Sequence, residues 1–275
     1  MAGGGRDRYP LIEMKTPIGV VAALYRYPVK SMAGEPIDAA ELGWHGVVGD
    51  RRLAFRRVGD RTGFPWLTAS KLPELVLHRP VRSGHPAAAE GALPSHVRIP
   101  DGTEWPLFSP ELADELGRRH GSPVEMLHLD RGIFDEAGLS IIAEATVGAI
   151  AGHLGRPADA RRYRPNLLIE TRDAVPFGEE AWLGGVLTFG PSDDGPVVTV
   201  TNHDLRCSMV NIDPDTARLE PEWLKAVAGL RNGNAGMYGT VTRRGRIEVG
   251  QTVYLETPLN GALEGVPVGL EPRLG

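Results

Sequence analysis

Apolar residues along this chain recur in short runs, often at spacing two, which marks β-strands rather than long helices. The run Ile18-Gly19-Val20-Val21-Ala22-Ala23-Leu24-Tyr25-Arg26-Tyr27 reads as a first strand, ended by turn formers in Pro28-Val29-Lys30-Ser31-Met32-Ala33-Gly34-Glu35-Pro36. Arg52-Leu53-Ala54-Phe55-Arg56-Arg57-Val58 alternates apolar and charged residues and predicts a half-buried antiparallel strand, with 59–63 as a hairpin connection to 66–70. A helical turn is expected at 71–75, a strand at 75–78 and an exposed loop over the Ala-, Gly- and Pro-rich 83–94. Asp101-Gly102, between two short strands in 97–107, predicts a hairpin with a type I′ turn.

Helix signals are few. Ser109-Pro110-Glu111 supplies a cap, a proline at the first helical position and an early acid, with Gly117 as the expected closing residue. A second helix is expected over 144–154, ended by Gly155, and a short amphipathic one over 221–230. Between and after them the pattern predicts strands at 124–129, 139–142, 197–201 and 237–242, with the last strands in 247–255. A basic loop within 161–170 feeds another strand, 179–190 hold a turn and a strand, and 231–236 read as a flexible loop. The expected fold class is mixed α+β, mostly β, with a change of domain near residue 130.

At 275 residues the chain can hold one large domain or two smaller ones. Its 35 glycines and 23 prolines are spread along the chain, which fits many turns between short strands. The net charge of −5 argues against nucleic-acid binding, which needs a basic footprint. Arginines do cluster at Arg51, Arg52, Arg56 and Arg57 and again at Arg156, Arg161, Arg162 and Arg164, as small anion sites or as solvated faces. The Gly-rich opening has no apolar core after it and no apolar run reaches membrane-spanning length, so a cytoplasmic location without a membrane partner is expected.

The single cysteine excludes an internal disulfide and any all-cysteine zinc or iron–sulfur site. Cys207 lies in Asn202-His203-Asp204-Leu205-Arg206-Cys207-Ser208-Met209, after the β-branched run 197–201 and before the turn formers Asp213-Pro214-Asp215. Three readings are open to it. It can be a small buried hydrophobe, a thiolate nucleophile served by Arg206 and His203, or a metal ligand. The third needs more ligands than this stretch offers unless the metal brings organic ligands of its own. The eight histidines form no zinc-protease pattern, and there is no P-loop, no G-x-G-x-x-G after a strand and no G-x-S-x-G elbow.

Taken in order, Tyr27-Pro28-Val29-Lys30-Ser31, Gly49-Asp50-Arg51, Leu67-Thr68-Ala69, Arg164-Pro165-Asn166, Arg206-Cys207, Asp213-Pro214-Asp215-Thr216 and the closing 245–255 resemble the MOSC family, with its N-terminal β-barrel domain. In pattern the chain is similar to the amidoxime-reducing members. The resemblance implies an N-terminal β-barrel-like domain at 17–130 and a C-terminal MOSC β-barrel with peripheral helices at 131–256. They would be flanked by a disordered start at 1–16 and a loose tail at 257–275.

It also implies a molybdenum–pterin cofactor (Mo-molybdopterin), with Cys207 as the thiolate on the metal and the catalytic centre. Lys30, Ser31, Arg51, Arg164, Asn166 and Arg206 would bind the cofactor, as would Asn234 and Tyr238 on a later loop. The implied activity is reduction of N-hydroxylated or N-oxide small molecules. Electrons would come from a separate ferredoxin-, flavodoxin- or cytochrome-type partner with its reductase. Two other functions are compatible with the motifs: a sulfur carrier using a Cys207 persulfide, and a non-catalytic cofactor carrier. Two departures bear on the substrate. Asp135-Glu136-Ala137-Gly138 stands where many relatives carry a hydroxyl-rich run, for which Ser140 is a candidate substitute, and Leu205 stands where amidoxime reducers often have serine.

Overall fold

The computed structural model describes residues 15–82, 93–134 and 136–256. The expectations for the N-terminal start, the core of the 83–94 loop and the C-terminal tail fall largely or wholly outside the described residues. Strands are β1 (Lys15–Arg26), β2 (Glu35–Ile37), β3 (Ala39–Gly43), β4 (Gly46–Val47), β5 (Leu53–Arg57), β6 (Arg79–Val81), β7 (His96–Arg98), β8 (Glu104–Pro106) and β9 (Val124–His128). They continue with β10 (Leu139–Ala143), β11 (Leu167–Thr171), β12 (Val186–Phe189), β13 (Val197–Leu205), β14 (Asn234–Arg243), β15 (Gly245–Glu248) and β16 (Thr252–Glu256). Helices are α1 (Pro110–His120), α2 (Glu144–His153) and α3 (Glu222–Arg231). Among the described residues none is long and apolar enough to cross a membrane. The fold is mostly β, as the pattern predicts.

Seven strands close a barrel in the order β1-β11-β10-β14-β13-β12-β16 and back to β1. Closure depends on β1, whose first half pairs with β16 and whose second half pairs with β11. Register shifts between Pro17 and Gly19 and between Val21 and Ala23 let one strand serve both neighbours. A Cβ on Gly19 would sit 2.2 Å from the Glu170 carbonyl oxygen, so only glycine admits that approach. β10 and β11 run parallel, and α2 is the crossover that a parallel pair requires. Val21, Leu24, Ile141, Ile169, Phe189, Val200, Met237 and Val253 fill the interior.

A second core lies over the barrel mouth. There Val29, Leu53, Phe55, Leu67, Leu75, Leu107, Leu112 and Leu116 pack α1 against β5, β9 and the β6-β7-β8 sheet. A third joins α2 to α3 through Ile150, Val227 and Trp223. The first two cores meet along residues 27–31, which leave the barrel as β1 ends. Lys30 N–H donates to the Leu53 carbonyl (2.8 Å) and Arg51 N–H to that of Tyr27 (2.7 Å).

Several local expectations are corrected. β5 pairs with β9, and 66–70 contribute only the isolated bridge Arg56–Trp66, because Pro65 has no N–H to continue a ladder. Residues 75–77 belong to a 3-10 turn started by Pro73, so the next strand begins at Arg79. The 97–107 hairpin forms, but Asp101 keeps negative φ while Gly102 has φ 92°. This gives a type I turn with a left-handed glycine rather than a type I′ turn. α1 runs through Gly117 to His120 and is closed by Gly121, at φ 84°. β13 continues to Leu205 and β14 begins at Asn234, because each supplies the other's hydrogen bonds. The expected loops 202–205 and 234–236 are therefore strand.

Candidate functional site

β13 carries its last residues past the barrel rim and then turns. Arg206 N–H donates to the Gly233 carbonyl (2.8 Å), and Cys207 starts the 3-10 turn Ser208–Asn211. The Arg206 side chain is a strut. Its Nε donates to the Ala235 carbonyl (2.6 Å), its Nη1 to the Tyr163 carbonyl (2.7 Å), and its Nη2 lies 2.9 Å from Asp204 Oδ2. Gly236 makes room for this, since a Cβ there would meet the Ile141 carbonyl oxygen at 2.5 Å and Arg206 Nη2 at 3.0 Å. With Arg206 fixed, Cys207 is left exposed rather than packed, which removes the small-hydrophobe reading.

The facing wall is built by residues 27–31, 50–51 and 164–166. Asp50 is fully buried; its Oδ1 accepts the Tyr27 N–H (2.6 Å) and its Oδ2 pairs with Arg51. Arg51 Nη2 donates to the Arg164 carbonyl (3.0 Å), and Arg164 Nη1 donates to that of Met32 (2.8 Å). Both guanidiniums lie over the Tyr27 ring, at 5.0 and 4.2 Å. Ser31, Arg51 and Arg164 adopt φ of 67°, 49° and 50°, the left-handed region that side chains avoid. Each costs on the order of 1 kcal/mol, and three such residues on one wall mark it as a site shaped for something besides stability.

These elements enclose a chamber of about 330 Å³. Lys30, Ser31, Arg51, Arg164, Arg206, Cys207 and Tyr238 all line it. Asn166 does not. It lies beneath, fully buried, with its Oδ1 accepting from Ser140 N–H (3.2 Å) and Arg51 Nη1 (3.3 Å) and its Nδ2 donating to the Tyr25 carbonyl (3.2 Å). Asn234 is also away from the chamber, at the foot of β14, where its Nδ2 donates to the Arg231 carbonyl (3.3 Å).

Further residues line the chamber, among them Thr68 and Leu205 from stretches that the sequence already marks. Phe64, Met209 and Leu205 give the wall apolar surface, Thr68 and Ser70 add hydroxyls, and Tyr163 and Asp204 complete it. Asp204 is the most informative. It lies on β13 beyond a register shift that follows Val200 and is 2% exposed, so its carboxylate needs partners. It receives Ser140 Oγ–H (2.8 Å), a hydrogen bond from Tyr238 and the Arg206 ion pair. Burial pushes its carboxyl up, and Arg206 and the two hydroxyls oppose that. Ser140 is thereby committed to Asp204. Glu136 lines the chamber and accepts from Asn202 Nδ2 (2.7 Å), putting a carboxylate on its wall.

A polar guest would find partners. The Tyr163 hydroxyl is buried on a chamber-lining residue and has no hydrogen bond within the protein. Burial also pushes the Tyr163 phenol up, which keeps it a donor. No group of three His, Cys, Asp or Glu among the described residues could hold a bare metal ion. The donor set suits instead an anionic group that brings most of its own ligands and needs one soft sulfur.

The MOSC domain matches residues 117–254, and the MOSC N-terminal beta barrel domain matches 18–95. The chain belongs to the MOSC family. Across an alignment of 294 positions it is 25% identical to human (Homo sapiens) mitochondrial amidoxime-reducing component 1, covering 86% of this chain and 83% of that protein. Among solved structures, it is similar to the YUAD protein from Bacillus subtilis, at 16% identity over 90% of this chain and 100% of that one, with a TM-score of 0.49. It is also similar to YiiM from Geobacillus stearothermophilus, at 21% identity over 43% of this chain and 53% of that one, with a TM-score of 0.33. MOSC domains are associated with molybdenum-cofactor binding, and the cations around Cys207 form a receptor of the corresponding charge.

Proposed function

We propose that the chamber holds a molybdenum–pterin cofactor and that the protein is an oxidoreductase removing oxygen from N-hydroxylated or N-oxide small molecules. One observation carries the reading: an exposed lone thiol at the edge of a chamber walled by Lys30, Arg51, Arg164 and Arg206. When bound, the cofactor supplies a two-electron centre that can accept an oxygen atom.

The chain's own residues do the rest. Cys207 Sγ offers the single thiolate to a metal already held by sulfur. Lys30, Ser31 and the guanidiniums meet a phosphate-bearing ring system, with Arg51 and Arg164 presented by left-handed backbone and the Arg51 guanidinium steadied by Asn166 and Asp50. Phe64, Leu205 and Met209 exclude water beside the thiol, and Glu136 gives that wall a negative point. Electrons come from a separate redox partner, since one cysteine cannot hold a cluster. A sulfur-carrier role would use the thiol but leave the convergence of four cations without a purpose.

Full-length protein from a host that makes the cofactor should contain molybdenum and pterin in near-equal amounts and reduce an aromatic amidoxime. Cys207→Ala should lose that activity by at least about a hundredfold, in line with loss of a directly acting group, while keeping its melting temperature. Protein free of both molybdenum and pterin would overturn the reading, and a fully active variant would overturn the role of Cys207.

A further inference from the structure

Behind the wall formed by Arg162, Arg164 and Met209 lies a second chamber of about 370 Å³, within the range of small-molecule sites. It contains no thiol. Its distinctive residues are Tyr25, Tyr27, Arg79 and Arg161. The two tyrosine rings stack at 6.5 Å with 29° between their planes, and Tyr25 is only half-buried, so it keeps a face for a guest. Gly34 lies flat on Tyr27, where a Cβ would come within 2.3 Å of the ring, so no side chain fills that space.

The charges here are unevenly settled. Arg161 is forked between Asp159 and Asp215 (2.8 and 2.6 Å), and Asp215 itself lines the chamber. Arg162 is 6% exposed; its Nη2 serves both Asp213 (2.7 Å) and Glu220 (2.5 Å), and its plane lies over Trp223 at 4.5 Å. Arg162 Nη1 is buried with no hydrogen-bond partner, and the Tyr27 hydroxyl is likewise buried without one. Arg79 is exposed and makes no hydrogen bond or ion pair of its own among the described residues, acting on Asp215 only at longer range. A buried guanidinium that keeps a donor in reserve, facing an open guanidinium across a tyrosine floor, asks for an anion attached to a flat ring.

We propose that the second chamber binds a phosphomonoester carrying an aromatic ring, of the nucleoside monophosphate class. Its phosphate meets Arg79 and Arg162, and its ring lies on Tyr25. The site shares Arg162, Arg164 and Met209 with the Cys207 chamber but not its thiol.

Calorimetric titration of the purified full-length protein with cytidine and guanosine monophosphates, inorganic phosphate and the free nucleosides tests this. The expected result is saturable nucleotide binding below about 1 mM, with inorganic phosphate and free nucleosides each at least about tenfold weaker. Arg162 is a poor residue to remove, because two carboxylates would be left behind, so the informative variants are at the exposed edge. Arg79→Ala should weaken nucleotide and phosphate alike by about tenfold. Tyr25→Ala should weaken the nucleotides alone. No binding at millimolar nucleotide, binding indifferent to Arg79→Ala and Tyr25→Ala, or equal affinity for phosphate and nucleotide would each overturn the proposal.

Discussion

The two chambers share Arg162, Arg164 and Met209 yet treat their arginines in different ways. Around Cys207, each guanidinium is fixed by backbone carbonyls, Arg51 on Arg164, Arg164 on Met32, Arg206 on Ala235 and Tyr163, and Arg51 and Arg206 each add one buried carboxylate, Asp50 and Asp204. A carbonyl orients a guanidinium without cancelling its charge, and Lys30, Arg51, Arg164 and Arg206 outnumber the two buried carboxylates behind them, so that wall keeps a positive field. In the second chamber, Arg161 and Arg162 face pairs of carboxylates and act mainly as clamps between segments. Anion capacity there falls to Arg79 and to one unused N–H of Arg162. The same residue type is thus a receptor or a brace depending on what holds it.

The largest expected effect comes from removing the support of the first wall. Asn166→Leu keeps the volume but strips an acceptor from Ser140 and Arg51 and a donor from Tyr25, leaving buried groups unpaired. It should cost about 3 kcal/mol, since each abandoned partner carries a penalty of about 1–3 kcal/mol, read from urea denaturation. Any metal or pterin content should fall with it. A loss below about 1 kcal/mol, in the range of one ordinary hydrogen bond, would mean that the wall is not held from beneath.

A pH series separates the chambers by sign. Burial raises the Asp204 carboxyl above its usual 3.8, so the native state keeps a proton that the unfolded chain has released. The stability this adds is present below 3.8 and is lost as pH rises through the raised folded value. Asp215 runs the other way. Hydrogen bonds from Arg161 hold it below 3.8, so its contribution is present above that value and lost as pH falls through the lowered one. Urea midpoints of Asp204→Asn and Asp215→Asn against pH should therefore depart from wild type on opposite sides of 3.8. Parallel profiles would remove the contrast.

Much of this arrangement was legible from residue order. Lys30, Arg164 and Cys207 were picked out by short motifs, and the barrel strands by apolar spacing. What stayed hidden was contact between distant segments. Asn166 sits inside a motif but acts from below the chamber, and nothing local distinguishes a residue that touches a ligand from one that holds its neighbour. Arg161 and Arg162 looked like members of a solvated basic run. Only folding brings Asp213, Asp215 and Glu220 against them and buries Arg162. Asp204 was not readable from spacing, because register shifts after Val200 and after His203 break the alternation of β13 before it reaches the carboxylate.

The smallest expected effect concerns Glu136, one of the residues lining the first chamber. Glu136 is exposed, so Glu136→Gln should leave stability within about 0.5 kcal/mol, and glutamine can still accept from Asn202. What changes is charge. If the proposed activity holds, a carboxylate on the chamber that also holds the thiol should attract a cationic N-hydroxylated substrate. The variant should raise KM for a cationic amidoxime a few-fold, by roughly the worth of one exposed charge pair, and leave kcat alone. A neutral analogue should show no change. Because the pair is solvent-exposed, the difference should shrink as salt shortens the screening length below about 10 Å. Equal shifts for cationic and neutral substrates would mean that Glu136 shapes the wall rather than selects by charge.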